Sequence, residues 1–151
     1  MASAEDASYR LRLGEGFLNE AQQDVTLARW RSCVDNSQLS VENVAKSVLA
    51  LLGPVGRTHS VADLLRRAVH DHRFSPSLMP LVSRLADLAE QLAWDIHVVS
   101  DCGDEIGRRI PWELFDEAAA RQALRVAEEA VAVARRLVEE VPSRDMPHGN
   151  V

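Results

Sequence analysis

The sequence predicts an all-α fold, an up-down antiparallel bundle of four long helices plus one short helix, and three observations carry that prediction. Apolar residues recur at i, i+3, i+4 and i+7 along most of the chain, the spacing that lines up one face of a helix. β-branched pairs such as Val98-Val99 fall inside stretches of that same period, so no strand signal stands alone. Glycine and proline interrupt the pattern at Gly53-Pro54, at Ser75-Pro76 and between Gly103 and Pro111, and the connections between helices are short.

A first helix is expected from about Arg10 to Cys33, with Leu13, Phe17, Ala21, Val25 and Ala28 inward, Trp30 near its end and Gly14 and Gly16 weakening its start. Residues 1–9 would be a flexible lead. The second helix, about Ser37 to Leu52, carries Val41, Val44, Ala45, Val48 and Leu52 as a single packing stripe, with Ser40, Asn43, Lys46 and Ser47 on the other side. Gly53-Pro54 stops it, because glycine accepts the left-handed conformation beyond a helix end and proline has no N–H to extend the ladder. Ser60 is placed to cap a short third helix, Val61 to His70, and Asp63 lies in its first turn, where the helix dipole favours an anion. After the break at Arg73-Phe74-Ser75-Pro76, Pro80 fits the first turn of a long fourth helix whose stripe runs from Leu78 to Val99. Residues 101–112 have two glycines, a proline and no period, the signature of an irregular loop. An alanine-rich last helix reaches from Trp112 or Glu113 to Val141, leaving 142–151 as a frayed tail and 10–141 as one domain.

Composition narrows the function. At 151 residues and a formal net charge of −6, the chain lacks the basic surplus that sequence-blind polyanion binding needs, although a local basic patch fits within it. Cys33 and Cys102 form no CxxC or Cys/His cluster, so neither a zinc site nor a disulfide framework is expected, and a reducing cytoplasm suits the chain best. The first residues lack a basic segment leading into an apolar one, and no apolar run is long enough to span a bilayer. No P-loop, GxGxxG or defensible Ser-His-Asp spacing is present, which removes conventional NTPase and hydrolase readings.

Three motifs, in order, resemble the HEPN superfamily of small helical nucleotide-binding domains. They are Ala21-Gln22-Gln23-Asp24-Val25-Thr26-Leu27-Ala28; Glu42-x-x-x-Lys46-x-x-Leu49 followed by glycine and Thr58-His59; and Arg109-Ile110-Pro111 before the alanine-rich helix. Together they span roughly residues 17 to 140. HEPN ribonucleases carry an Arg-x4-6-His pair before or at the start of the last core helix, and here the next histidine after Arg109 is His148, in the tail. Arg66 or Arg67 with His72 has the spacing but lies at the end of the third helix, so the chain resembles a member without the standard catalytic pair.

The candidate ligand-binding residues are therefore Arg108, Arg109, His59 and His97, with no catalytic and no metal-ligating residue assigned. Adjacent guanidiniums on a glycine-flanked loop suit phosphate oxygens; the alternative is that they pair with Asp101, Asp104 or Glu105 in the same loop. His59 could bond the Glu42/Lys46 face, itself readable as solvated, and His97 could bond Asp101 or support the arginine loop. His70-Asp71-His72 could hold a metal only if the helix has ended, and reads better as surface histidines. Asp24 and Asn36 are the polar positions to check for facing inward.

The resemblance implies a non-catalytic nucleotide- or RNA-binding and protein-interaction module in the cytoplasm, without cofactor, paired with a minimal nucleotidyltransferase in a toxin-antitoxin or defence system. A homodimer is expected because the alanine-rich last helix and the long fourth helix hold more apolar surface than one small bundle covers. DNA and membrane partners are not expected. The rival readings are a ribonuclease toxin using Arg108 or Arg109 with His59, His72 or His97, and a structural subunit without a ligand.

Overall fold

The computed structural model describes residues 2–141. Seven helical segments follow one another: α1 (Ala2–Thr26), α2 (Trp30–Ala50), α3 (Val61–His70), α4 (Met79–Gln91), α5 (Trp94–Cys102), α6 (Pro111–Leu114) and α7 (Glu117–Glu140). The all-α prediction holds, and no helix among the described residues is long and apolar enough to cross a membrane. The expected tail, 142–151, lies outside the described residues.

The centre of the bundle is α2, which packs on α1, α3, α4, α5 and α7. Its expected single stripe is a correction: Ser40 and Ser47, assigned to the polar side, are fully buried. They can be buried because each hydroxyl donates to a carbonyl of α1, Ser40 to Gly14 and Ser47 to Ala7, both at 2.7 Å. The two helices come close together at Gly14, where an added Cβ would lie 2.4 Å from Val44 and 3.0 Å from the Ser40 carbonyl oxygen. Gly14 thus gives up helix propensity for proximity. α7 packs on both α2 and α1, and its alanines (Ala120, Ala123, Ala127, Ala130 and Ala134) are buried with Leu137, allowing close approach.

Helix boundaries differ from the expected ones: α2 begins at Trp30 rather than Ser37, and the expected last helix is divided into α6 and α7, with α7 starting at Glu117. α1 begins at Ala2, inside the expected flexible lead, and Ala7 is buried; it ends at Thr26 rather than Cys33. Ala28, expected on its inner face, lies exposed in the turn with φ 56°, while Leu18 is buried instead. The Asp24 carboxylate accepts from the Asn36 amide at 2.8 Å, so the two polar side chains satisfy each other, while the Asp24 main-chain carbonyl accepts from the Arg29 N–H as the chain reverses. Ser60 occupies the cap position of α3 without a side-chain cap bond; Asp63 is in the first turn as expected.

The long fourth helix is two helices. Leu92 and Ala93 leave helical geometry, with Ala93 extended at φ −80°, ψ 174°. α4 packs on α3 and α7, whereas α5 turns to lie on α2. One straight helix could not cover both surfaces, and no proline or glycine marks the bend.

Candidate functional site

The bend brings α5 onto a polar stripe of α2. Arg31, Asp35, Glu42 and Lys46 follow at intervals that keep them on one side of the helix, and α5 sets Trp94, His97 and Asp101 against them. His97 Nδ1 is 2.6 Å from Asp35 Oδ1 and its Nε2 is 3.3 Å from Asp101 Oδ2. The Ser100 hydroxyl donates to Asp35 and to the His97 carbonyl. Arg31 donates to the Ser100 carbonyl at 2.9 Å and approaches Asp101 at 3.4 Å and Asp35 at 3.8 Å. Burial first, and then the Asp101 charge, push the Asp35 carboxyl above its ordinary value; His97 and Ser100 act the other way.

Asp35, His97 and Asp101 could in principle grip a cation, since one ligand atom from each lies within 4.8 Å of the others. Both imidazole nitrogens already face carboxylates and Arg31 supplies positive charge, so the arrangement is compensated as it stands. His70 and His72 join no such group among the described residues.

Farther along the stripe, His59 Nδ1 is 2.9 Å from Glu42 Oε1, and Lys46 reaches Glu42 at 3.6 Å. The solvated-face reading of Glu42 is corrected: its side chain is only 7% exposed, and two basic partners compensate its charge. Trp94 joins the two histidines, stacking on His59 with ring centroids 3.5 Å apart and on His97 at 4.4 Å. His59 and His97 are therefore brought together, and both are occupied in holding α5 and the α2–α3 connection to α2.

The arginine loop is more regular than its sequence suggests. Asp104 and Arg109 exchange two backbone hydrogen bonds, an isolated antiparallel bridge. The Asp104 carboxylate accepts from the Gly107 N–H at 2.9 Å, tying the turn internally. Gly103 has φ 74°, and a Cβ there would meet the Arg109 carbonyl oxygen at 2.3 Å, so the entry to the turn requires glycine. Arg108 sits at the other side of the turn with φ 55°, exposed and without an ion-pair partner among the described residues. Arg109 donates to the Glu113 carbonyl at 3.1 Å. Neither arginine is paired with Asp101, Asp104 or Glu105, and neither bonds to a histidine, among the described residues.

Sequence reasoning missed Arg31, Asp35, Trp94 and Trp112. The spacing of Arg31, Asp35, Glu42 and Lys46 was a usable signal once α2 was started at Trp30 instead of Ser37. Trp112 follows the loop on α6 with 69% of its surface exposed, and the Arg31 guanidinium lies over its ring, 5.4 Å from the centroid. Val98, Ile106 and Ile110 are exposed in the same part of the chain.

With that geometry in view, comparison adds a family and a fold. The HEPN domain model matches residues 7–144. The chain is similar in fold to the crystal structure of TT1696 from Thermus thermophilus, with a TM-score of 0.65 and 20% sequence identity, over 91% of this chain and 99% of that one. No curated protein matches it.

Proposed function

The chain belongs to the HEPN domain family, and from that premise we propose that it is a non-catalytic nucleotide- or RNA-binding module that engages phosphate through the Arg108/Arg109 turn. The observation that supports this reading is the state of the turn itself. Asp104 accepts from the Gly107 N–H and Asp101 faces Arg31 and His97, and neither arginine of the turn forms a side-chain ion pair with these acids or with Glu105 among the described residues. Arg108 remains exposed on a turn closed by two backbone bonds, a cation presented with little flexibility of its own backbone.

Non-catalytic is the favoured reading because general acid–base work needs a histidine free to exchange its proton at the reacting atoms. His59 and His97 are each bound to a carboxylate and stacked on Trp94, and His72 follows α3, remote in sequence from the turn. The homodimer belongs to the same proposal with a changed surface. The alanine face of α7 is covered within the bundle, whereas Val98 and Ile106 offer apolar area near the turn, Ile106 being 98% exposed. A minimal nucleotidyltransferase partner, a toxin-antitoxin or defence setting and a cytoplasmic location rest on the family resemblance and on the free Cys33 and Cys102.

The test is a titration of a fluorescent single-stranded RNA oligonucleotide with wild type and with the Arg108→Ala/Arg109→Ala variant at two salt concentrations. Affinity should fall as salt rises, and the variant should lose roughly one to two units of the log–log salt slope, because fewer counterions are released. Equal affinities and equal slopes would remove the turn from the function.

A further inference from the structure

Beside the arginine turn, the start of α2 and α6 enclose a cleft of about 350 Å³ whose lining includes Arg29, Trp30, Arg31, Trp112 and Phe115. Three aromatic rings and two guanidiniums around one opening are an unusual concentration in a chain that is only 5% aromatic. We propose that this cleft is a nucleobase subsite in which an unstacked base lies against the Trp112 indole and its phosphate is met by Arg29. The proposal rests on the nucleotide-binding reading above and adds a base-contacting site separate from the phosphate contact at Arg108.

Each part of the cleft has a reason to serve this ligand. Trp112 leaves 69% of its surface open, yet its position is not loose: Arg31 lies against the ring and is itself anchored to the Ser100 carbonyl and to Asp101. A ring ordered before binding loses less entropy when a base stacks on it. Arg29 is exposed and has no ion-pair partner among the described residues, whereas Arg31 is committed to carboxylates; the two cations therefore divide into one for an incoming anion and one for the ring. The volume is at the small end of ligand pockets and suits a single base with its sugar rather than a dinucleotide. Stacking on an indole face tolerates any base, so the subsite would favour unpaired nucleotides over duplex without reading sequence. By contrast Trp94 already stacks on two imidazoles and is not offered to a ligand in the same way.

The experiment compares binding of a single-stranded oligoadenylate with binding of an oligomer of the same length and charge in which the bases are replaced by abasic ribose, and adds AMP to separate a free nucleotide from a strand. Wild type should bind the base-bearing strand on the order of tenfold or more tightly than the abasic one, Trp112→Ala should erase that difference, and Trp112→Phe should restore most of it. Unchanged circular dichroism and melting of Trp112→Ala would show that the exposed substitution leaves the fold intact. AMP binding that also depends on Trp112 assigns the subsite to mononucleotides as well; binding of strands alone assigns it to RNA. Equal binding of base-bearing and abasic strands by wild type would overturn the base subsite while leaving the phosphate-binding reading in place. No binding of either strand would overturn both.

Discussion

The two halves of α2 solve opposite problems. From Ser40 to Ala50 the helix is walled in, and every polar side chain buried there has a partner: Ser40 and Ser47 on α1 carbonyls, Glu42 on Lys46 and His59. From Trp30 to Asp35 it borders α5, α6 and open solvent, and its polar groups are shared among a guanidinium, an imidazole and two carboxylates beside a cleft. From Ser40 onward α2 specifies the bundle by satisfying the polar side chains it buries, whereas just before it the Ser37 hydroxyl and the Gln38 Oε1 are buried without a partner among the described residues. The second half turns Cys33 and Val34 into the core and half-buries its charges, but leaves Arg29 and the Trp112 ring beside it exposed, which is the condition under which a ligand can still gain contacts.

That contrast can be broken by experiment, and the largest expected effect is chemical. Cys33 is buried in the core and its thiol is pushed up to about 11, chiefly by burial, while Cys102 at the end of α5 is exposed. With a thiol-reactive dye at neutral pH, one equivalent should react quickly and the second only as the protein unfolds, a rate difference of at least about a hundredfold. Two equally fast thiols would mean that the α2 core opens readily. Next comes the core itself: Leu137→Ala removes a fully buried side chain and should cost about 3 kcal/mol in chemical denaturation. A loss well below about 1 kcal/mol would show that α7 is not seated as described.

A smaller effect concerns pH at the open end. Asp35 has a folded-state pKa raised above its unfolded value, so the folded chain holds that proton more tightly; ionisation costs stability above the folded pKa, and the cost is relieved as pH falls through it. Asp35→Asn cannot titrate. The melting temperature of wild type minus that of the variant should therefore rise as pH is lowered from near neutral into the carboxylate range, and a difference that falls over that window would show the carboxylate to be net stabilised by Arg31 and His97. The smallest effect is Trp112→Ala on stability, expected within about 0.5 kcal/mol because the ring is exposed and loses only its contact with Arg31. A large loss there would make Trp112 part of the core and blur the division between the two halves.

Helical period made the bundle readable from sequence, since it depends on residues one turn apart. The stripes through Val41, Val44, Ala45 and Val48 and through Ala123, Ala127, Ala130 and Ala134 are all buried. Where tertiary contacts decide, the sequence was silent. Ser40 and Ser47 look solvent-facing until α1 supplies their acceptors, and nothing local at Leu92-Ala93 reports that α5 must leave α4 to reach α2. The candidate site was legible as residue types and not as a constellation. His59 and His97 were selected, but Trp94, which joins them, and Arg31, which meets α5 across 69 positions of sequence, depend on that same unannounced bend.

The chain has three tryptophans, and their indole N–H resonances in a nitrogen-15 spectrum test the central claim directly because each reports a different place. Trp30 and Trp112 line the cleft beside the arginine turn, while Trp94 is stacked between α2's partners His59 and His97. Titrating the labelled protein with a single-stranded RNA oligonucleotide should move the Trp112 resonance most, move Trp30 with it, and leave Trp94 nearly unchanged. A titration in which Trp94 alone responds, or in which none of the three moves at saturating RNA, would contradict the assignment of nucleic-acid binding to this end of the bundle.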